Sequence, residues 1–249
     1  MLKIKQLALE SRFLPLSTRV SAGARVHIVG PNGAGKSSLL ASIAGMLNAT
    51  GEVSIDGQLI TKLSGRELSR YRSYLCQQYL PLSTMPVFQY LFLHQPVGVE
   101  PVVLEKTLNL LCGKLHLADK LSTAVTRLSG GEWQRVRLVA ALLQVWPTIN
   151  PQGALLLLDE PANSLDIAHQ RAMDALIDEF CAVGGIALVT DHDLNHTLHH
   201  ADWVWLMHKG KTVAMGTPQN VLQPENLTPV YDVDFKLQHF SGKSWIMTP

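Results

Sequence analysis

The sequence predicts an α/β fold, a parallel sheet core flanked by an antiparallel β segment and interrupted by an inserted helical lobe. Three observations carry this. The run Ala24-Arg25-Val26-His27-Ile28-Val29 reads as a strand that ends at a glycine-rich turn and a helical stretch from Lys36, a strand-loop-helix unit. Leu155 to Leu158 and Ile186 to Thr190 are uninterrupted apolar runs, the habit of strands buried on both faces of a parallel sheet. From about Gln77 to Trp146 the pattern is helical, broken by Pro81, Pro86, Pro96 and Pro101.

The remaining elements follow in order. Residues 2–9 form a first strand, and Gly51 to Ile60 alternates around Asp56-Gly57, a pair that supplies the positive φ of a tight hairpin. Ile167 to Phe180 is the crossover helix between the two apolar strands. The 249 residues divide into a core with its antiparallel segment (1–76 and 150–216), a helical subdomain (77–149) and a C-terminal tail (217–249), all within one domain.

Composition narrows the function classes. At 47% hydrophobic and 16% charged residues the chain is expected to fold, and a formal net charge of +1 gives no electrostatic footprint for nucleic acid. Cys76, Cys112 and Cys181 are odd in number and form no CxxC pair, arguing against a disulfide framework or zinc site and for a reducing cytosol. The start lacks the apolar run of a signal peptide, and no run is long enough to cross a bilayer, so any membrane association is expected to go through a partner.

Gly30-Pro31-Asn32-Gly33-Ala34-Gly35-Lys36-Ser37 fits G-x-x-x-x-G-K-[ST] and is followed by Ser38. Glycines let successive N–H groups curl around phosphates, a lysine meets the β/γ charge, and a hydroxyl reaches Mg²⁺. The helix behind the loop adds its positive end. Asp159 and Glu160 leave the carboxyl end of an apolar strand, where ligands bind in open α/β sheets. Asp159 suits the Mg²⁺ shell and Glu160 the polarising of an attacking water. Ser129, Gly130 and Gly131 precede a helix and form a second candidate anion nest, although alone they read as an ordinary helix cap. His192 follows a buried strand on the same sheet edge as Glu160, and is placed to bond a γ-phosphate or the attacking water. His196, His199 and His200 read as helix-surface residues rather than metal ligands, since no HExxH pattern or neighbouring cysteine accompanies them.

Taken in order, these segments, with Gln77 after Tyr74-Leu75-Cys76 and with Ser164-Leu165-Asp166, resemble the ATP-binding cassette family over essentially the whole chain. The resemblance implies a P-loop NTPase (RecA-like) core with an antiparallel β subdomain and an inserted α-helical subdomain, and ATP and Mg²⁺ as cofactors. It implies that Gln77, with Gln78 as the other register, touches Mg²⁺ and the water. Leu128 to Glu132 then matches the signature segment, Asn163 to Asp166 the D-loop and His192 the switch histidine. It further implies a head-to-tail pair of copies, each Gly30 loop sharing one ATP with the opposing Ser129 segment. Glu132 stands where the family most often has glutamine, and no tyrosine occupies the short stretch from Leu9 to Leu16, leaving Phe13, or Arg12, to stack on adenine.

Within the family, Leu128 to Leu138 and His192 to Leu198 look most like the ATPases of bacterial vitamin B12 (cobalamin) importers. ATPases of iron-siderophore or haem importers are the alternative, and a soluble non-transport ATPase a remoter one. That resemblance implies two membrane-spanning permease subunits, a periplasmic substrate-binding protein, and a peripheral place on the cytoplasmic face of the inner membrane. The permease contact is expected around Tyr79 to Phe92, where aromatic and apolar residues recur between prolines.

Overall fold

The computed structural model describes residues 1–77, 84–240 and 242–248. In chain order the elements are β1 (Leu2–Leu9), β2 (Phe13–Val20), β3 (Arg25–Val29), α1 (Lys36–Ile43), β4 (Thr50–Ile55), β5 (Gln58–Leu59), α2 (Gly65–Tyr71) and β6 (Arg72–Leu75). Then come α3 (Val87–Phe92), α4 (Pro101–Lys114), α5 (Gly130–Val145), β7 (Leu155–Asp159), α6 (Ile167–Ala182), β8 (Ile186–Thr190) and α7 (Leu194–His200). The chain closes with β9 (Trp203–His208), β10 (Lys211–Gly216), α8 (Pro218–Val221), α9 (Pro224–Tyr231), β11 (Lys236–Phe240) and β12 (Lys243–Met247).

The central sheet runs β10-β9-β3-β8-β7-β6, parallel throughout except for β10. An antiparallel sheet, β2-β1-β4-β5, covers one side, its β4–β5 turn made at Asp56-Gly57 with positive φ at both residues. The apolar strands are buried on both faces, as their composition demands. Leu155 and Leu157 pack with Leu39, Leu40 and Ile43 of α1 and with Leu2 and Ile4 of β1, whereas Leu156 and Leu158 pack with Val136 and Leu142 of α5 and Leu176 and Phe180 of α6. Each such leucine contributes about 1.5–3 kcal/mol by leaving water. The cluster around α5 also takes in Leu111 and Leu115 of the helical segment, so α5 is core to both.

The C-terminal residues pack over one face of the sheet at β9 and β3. Val221, Leu222, Leu227, Val230 and Ile246 cover Val29, Val204 and Leu206 of β3 and β9. The β9–β10 turn is stitched to the loop after β3, because Gly210 N–H donates to Ala34 O at 3.1 Å while Gly210 O accepts from Leu14 N–H at 2.7 Å.

That fit is why residue 30 must be glycine. Its φ is +147°, and an added Cβ would lie 2.1 Å from Met207 O. Gly33, at φ +79°, has open space where a Cβ would go. Gly30→Ala is therefore expected to lower unfolding free energy by about 2–4 kcal/mol, and Gly33→Ala by about 1 kcal/mol, in urea titrations. Equal losses would contradict the packing constraint.

Candidate active site

Parallel pairing places four strand ends together. Asp159 pairs in register with Thr190, and Leu75 with Leu158, so Gln77 and Glu160, each two residues further on, arrive side by side. Ile28 also pairs with Thr190, which sets the glycine loop beyond β3 at the same edge. A cavity of about 400 Å³ opens there, lined by Asn32, residues 33–38, Gln77, Glu160 and His192, with Ser11 and Arg12 on its far wall.

Beneath the cavity lies a chain of hydroxyls and carboxylates. Ser37 Oγ donates to Asp159 Oδ1 at 3.1 Å, and Thr190 Oγ1 donates to the same oxygen at 2.7 Å. Thr190 Oγ1 in turn accepts the Glu160 N–H at 2.8 Å. That bond holds Glu160 at φ 50°, a left-handed conformation that costs about 1–3 kcal/mol and lifts its side chain off the strand. Lys36 is buried and donates to Gly30 O at 2.7 Å and Pro31 O at 3.2 Å. Burial pulls its ammonium below the ordinary lysine range, opposed by the nearby Glu160 and Asp159 carboxylates.

The Glu160 carboxylate is ringed by donors. His192 Nε2 lies 2.6 Å from Oε1, while Asn163 Nδ2 and Gln77 Nε2 donate to Oε2 at 2.6 and 3.4 Å. With a carboxylate as acceptor, the Nε2 atom of His192 carries the proton. Burial by itself would raise the Glu160 carboxyl; the bonds from His192, Asn163 and Gln77 outweigh it and hold the group below the usual carboxylate range. Asp159 goes the other way, raised by burial against the hydrogen bonds from Thr190 and Ser37. One carboxylate is thus kept ionised beside the cavity and the other is tucked under Ser37.

The Ser129 segment is not part of this cavity's lining. Ser129 caps α5 in a capping box, its Oγ accepting Glu132 N–H at 3.3 Å while Glu132 Oε2 accepts Ser129 N–H at 2.8 Å. Lys120 pairs with Glu132 at 3.1 Å, and the Ser129 N–H bond together with that pair pushes the Glu132 carboxyl down to about 2. A glutamine would keep the cap but lose the ion pair. Gly131 is required because a Cβ there would sit 2.7 Å from Ser164 O, so the Ser129 and Ser164 segments touch. Asp166 caps α6 through His169 N–H at 2.9 Å and is outside the cavity lining.

Two sequence expectations are corrected. Phe13 does not offer a ring to a base: it starts β2 facing inward, is 4% exposed and packs with Leu16, Val26 and Met207 in the core, whereas Arg12, one residue earlier, turns out to the cavity. His196 is not a surface residue either, for it is held between Asp174 and Asp191. Gln78, Tyr79 and Leu82 lie outside the described residues. Thr190 and the Asn163 contact to Glu160 were missed, the only sequence signal being a hydroxyl at the end of an apolar strand. Arg137, whose Nη2 donates to Cys76 O at 2.5 Å, fixes the approach to Gln77 and carried no signal at all.

A family model described as ABC transporter matches residues 13–163. The chain belongs to the ABC transporter family. Among curated relatives, a vitamin B12 import ATP-binding protein BtuD of Yersinia enterocolitica is 49% identical over 248 residues, covering 100% of this chain and 98% of the relative. The proteins of that name from Pectobacterium atrosepticum and Escherichia coli O157:H7 are 49% and 44% identical, over 99% of this chain and 99% and 98% of theirs. The solved ATP-binding subunit of an ABC transporter superposes with a TM-score of 0.79 at 25% identity, covering 88% of this chain and 91% of that one. An ATP-binding cassette in its ADP conformation gives 0.72 at 24% identity over 93% and 98%, which speaks to the fold. This is an ABC ATPase domain, which binds and hydrolyses ATP.

Glu160→Gln is expected to keep ATP binding and lose turnover by about 100-fold or more, read by phosphate release beside nucleotide titration. Phe13→Leu should lower stability by about 1 kcal/mol and leave ATP affinity alone. Arg12→Ala should do the reverse.

Proposed function

We propose that this ABC ATPase binds ATP with Mg²⁺ and energises import of vitamin B12, working as a head-to-tail pair beneath two membrane-spanning permease subunits. The pair would sit on the cytoplasmic face of the bacterial inner membrane, with a periplasmic binding protein delivering the vitamin. The observation that carries the mechanism is the split placement of the phosphate devices, with Asn32 to Ser38 lining the cavity and Ser129 to Gly131 outside it. The cargo rests on full-length likeness to relatives named for vitamin B12 import.

The residues have matching tasks. Backbone N–H groups of the Gly30 loop and the start of α1 cradle the phosphates, and Lys36 exchanges its bonds to Gly30 O and Pro31 O for phosphate oxygens. Ser37, Asp159 and Gln77 are hard oxygen donors, the set that suits Mg²⁺, and Ser37 and Asp159 are already 3.1 Å apart. The ion supplies neutralisation of charge on the β- and γ-phosphates. Glu160 accepts a proton from the attacking water, held in place by His192 and Asn163. A second copy then brings Ser129, Gly130 and Gly131 to the γ-phosphate, with Asp166 in the adjoining D-loop.

Among the described residues no helix is long and apolar enough to cross a membrane. Membrane attachment through a partner has support at α3, where Phe88, Phe92 and Leu93 are 52%, 61% and 67% exposed and border an apolar hollow with Met85. Part of the stretch expected to meet the permease is therefore an open apolar surface.

Deleting the gene is expected to abolish high-affinity vitamin B12 uptake, with unchanged uptake removing that cargo. Replacing Phe88 and Phe92 together by serine should abolish co-purification with the permease while the isolated chain still binds ATP.

A further inference from the structure

Behind the wall that carries Glu160 and His192 lies a buried cluster of charges contributed by β3, α6, α7 and the turn after β8. Asp191 occupies its centre. One oxygen, Oδ1, accepts the Asp193 N–H at 2.9 Å, closing the turn around His192, and the other, Oδ2, lies 2.5 Å from His196 Nδ1. His196 Nε2 faces both oxygens of Asp174 at 3.1 and 3.0 Å. A ring whose two nitrogens each meet only carboxylates must carry both protons, so His196 is an imidazolium. Its charge and that of Arg25, 2.5 Å from Asp174 Oδ1, offset the two buried carboxylates.

A metal is the competing occupant, since His27, Asp191 and His196 offer three ligand atoms within 4.8 Å of one another. The protonation pattern argues against it. Arg25 Nε donates to His27 Nε2 at 3.1 Å, so the proton of neutral His27 is on Nδ1, where it faces Thr197 Oγ1 at 3.0 Å and Asp191 Oδ2 at 3.5 Å. A ligand would need its lone pair there, beside a guanidinium that repels cations.

We propose that His196 is a positioning residue for ATP hydrolysis: clamped between Asp191 and Asp174, it fixes the turn that presents His192 to Glu160. This rests on the role assigned to His192 above. Asp193 completes the device, its Oδ1 accepting the N–H groups of Asn195 and His196 at 2.8 and 2.9 Å, so the residues on both sides of His192 are pinned to α7. Through Asp174 the same ring ties that turn to α6, the helix that the D-loop enters, and through Arg25 to β3, the strand that ends at the phosphate loop.

Burial opposes the charge on His196, but Asp174 and Asp191 raise its pKa to about 9. The groups facing it are Asp191, Asp174, His27 and, on its own helix, His200, with Arg25 next beyond. Because the folded value lies above the ordinary histidine value of 6.5, the stabilisation is complete only below that value, declines as pH rises beyond it and is gone above about 9.

The test compares His196→Gln, His196→Arg and His192→Ala in the full chain, reading kcat and KM for ATP, melting temperature, and the pH profile between 6 and 10. Loss of precise placement gives His196→Gln a kcat about tenfold or more below wild type with KM little changed, and the lost cation lowers the melting temperature as well. His196→Arg, which keeps the cation, should recover much of it. Wild-type turnover should fall along an alkaline limb near pH 9 that His196→Gln lacks. Unchanged kcat in His196→Gln would overturn the proposal, as would a loss of ATP binding in step with kcat. If His196→Gln fails to fold, histidine-ring NMR of the wild-type chain decides: a ring titrating in step with the alkaline limb supports the proposal, and one titrating without loss of turnover overturns it. Full turnover in His192→Ala would remove the underlying reading of His192 instead.

Discussion

The register of β3, β8, β7 and β6 is the constraint from which the site follows. Because Asp159 is level with Thr190, and Leu75 with Leu158, the residues just beyond these strands emerge together. A one-residue slip of β7 would turn Asp159 away from Ser37 and carry the leucines on either side of the strand to the wrong faces. The apolar packing of Leu155 to Leu158 against α1 on one side and α5 and α6 on the other therefore stabilises the fold and sets the catalytic register at once. Thr190 is the polar counterpart of that packing, a single hydroxyl joining Asp159 to the backbone of Glu160.

Charge is arranged around this edge by burial. Asp159, Lys36 and Asp174 are nearly removed from solvent, yet each meets an opposite charge, a hydroxyl or carbonyl oxygens, as buried ions must. Lys36 rests on carbonyl oxygens of its own loop, partners weaker than a phosphate, so nucleotide binding exchanges modest bonds for stronger charge-assisted ones. The Ser129 segment closes a capping box within its own chain and contributes nothing to the local cavity, which is why the catalytic unit is read as two chains rather than one.

Much of this was legible in sequence where the information is contiguous. The Gly30 loop, the β7 strand with its two carboxylates and β8 each announce themselves within ten residues, and a role for Gln77 followed from the family's order of segments, although its contact to Glu160 did not. What failed was local register and long-range contact. Phe13 and Arg12 are adjacent, and nothing in the mixed β2 sequence tells which one faces the core. His196 lies four residues after His192, a spacing that reads as exposed helix, but its partner Asp174, and the Arg25 that pairs with Asp174, come from distant segments that only the fold unites. The strands β2 and β10 and the short helix α2 went unread because polar residues interrupt their patterns, although Ser64 and Glu67 form a capping box that sequence alone could have flagged; the apolar run of β9 went unread as well.

Association state measures the central claim most directly. In the Glu160→Gln background, where ATP is bound but not consumed, sedimentation with ATP and Mg²⁺ should give twice the mass of one chain. Adding Ser129→Arg should return it to the mass of one chain without loss of ATP binding. A single-chain mass for Glu160→Gln saturated with ATP, or a dimer indifferent to Ser129→Arg, would contradict a site shared between the Gly30 loop of one copy and the Ser129 face of the other.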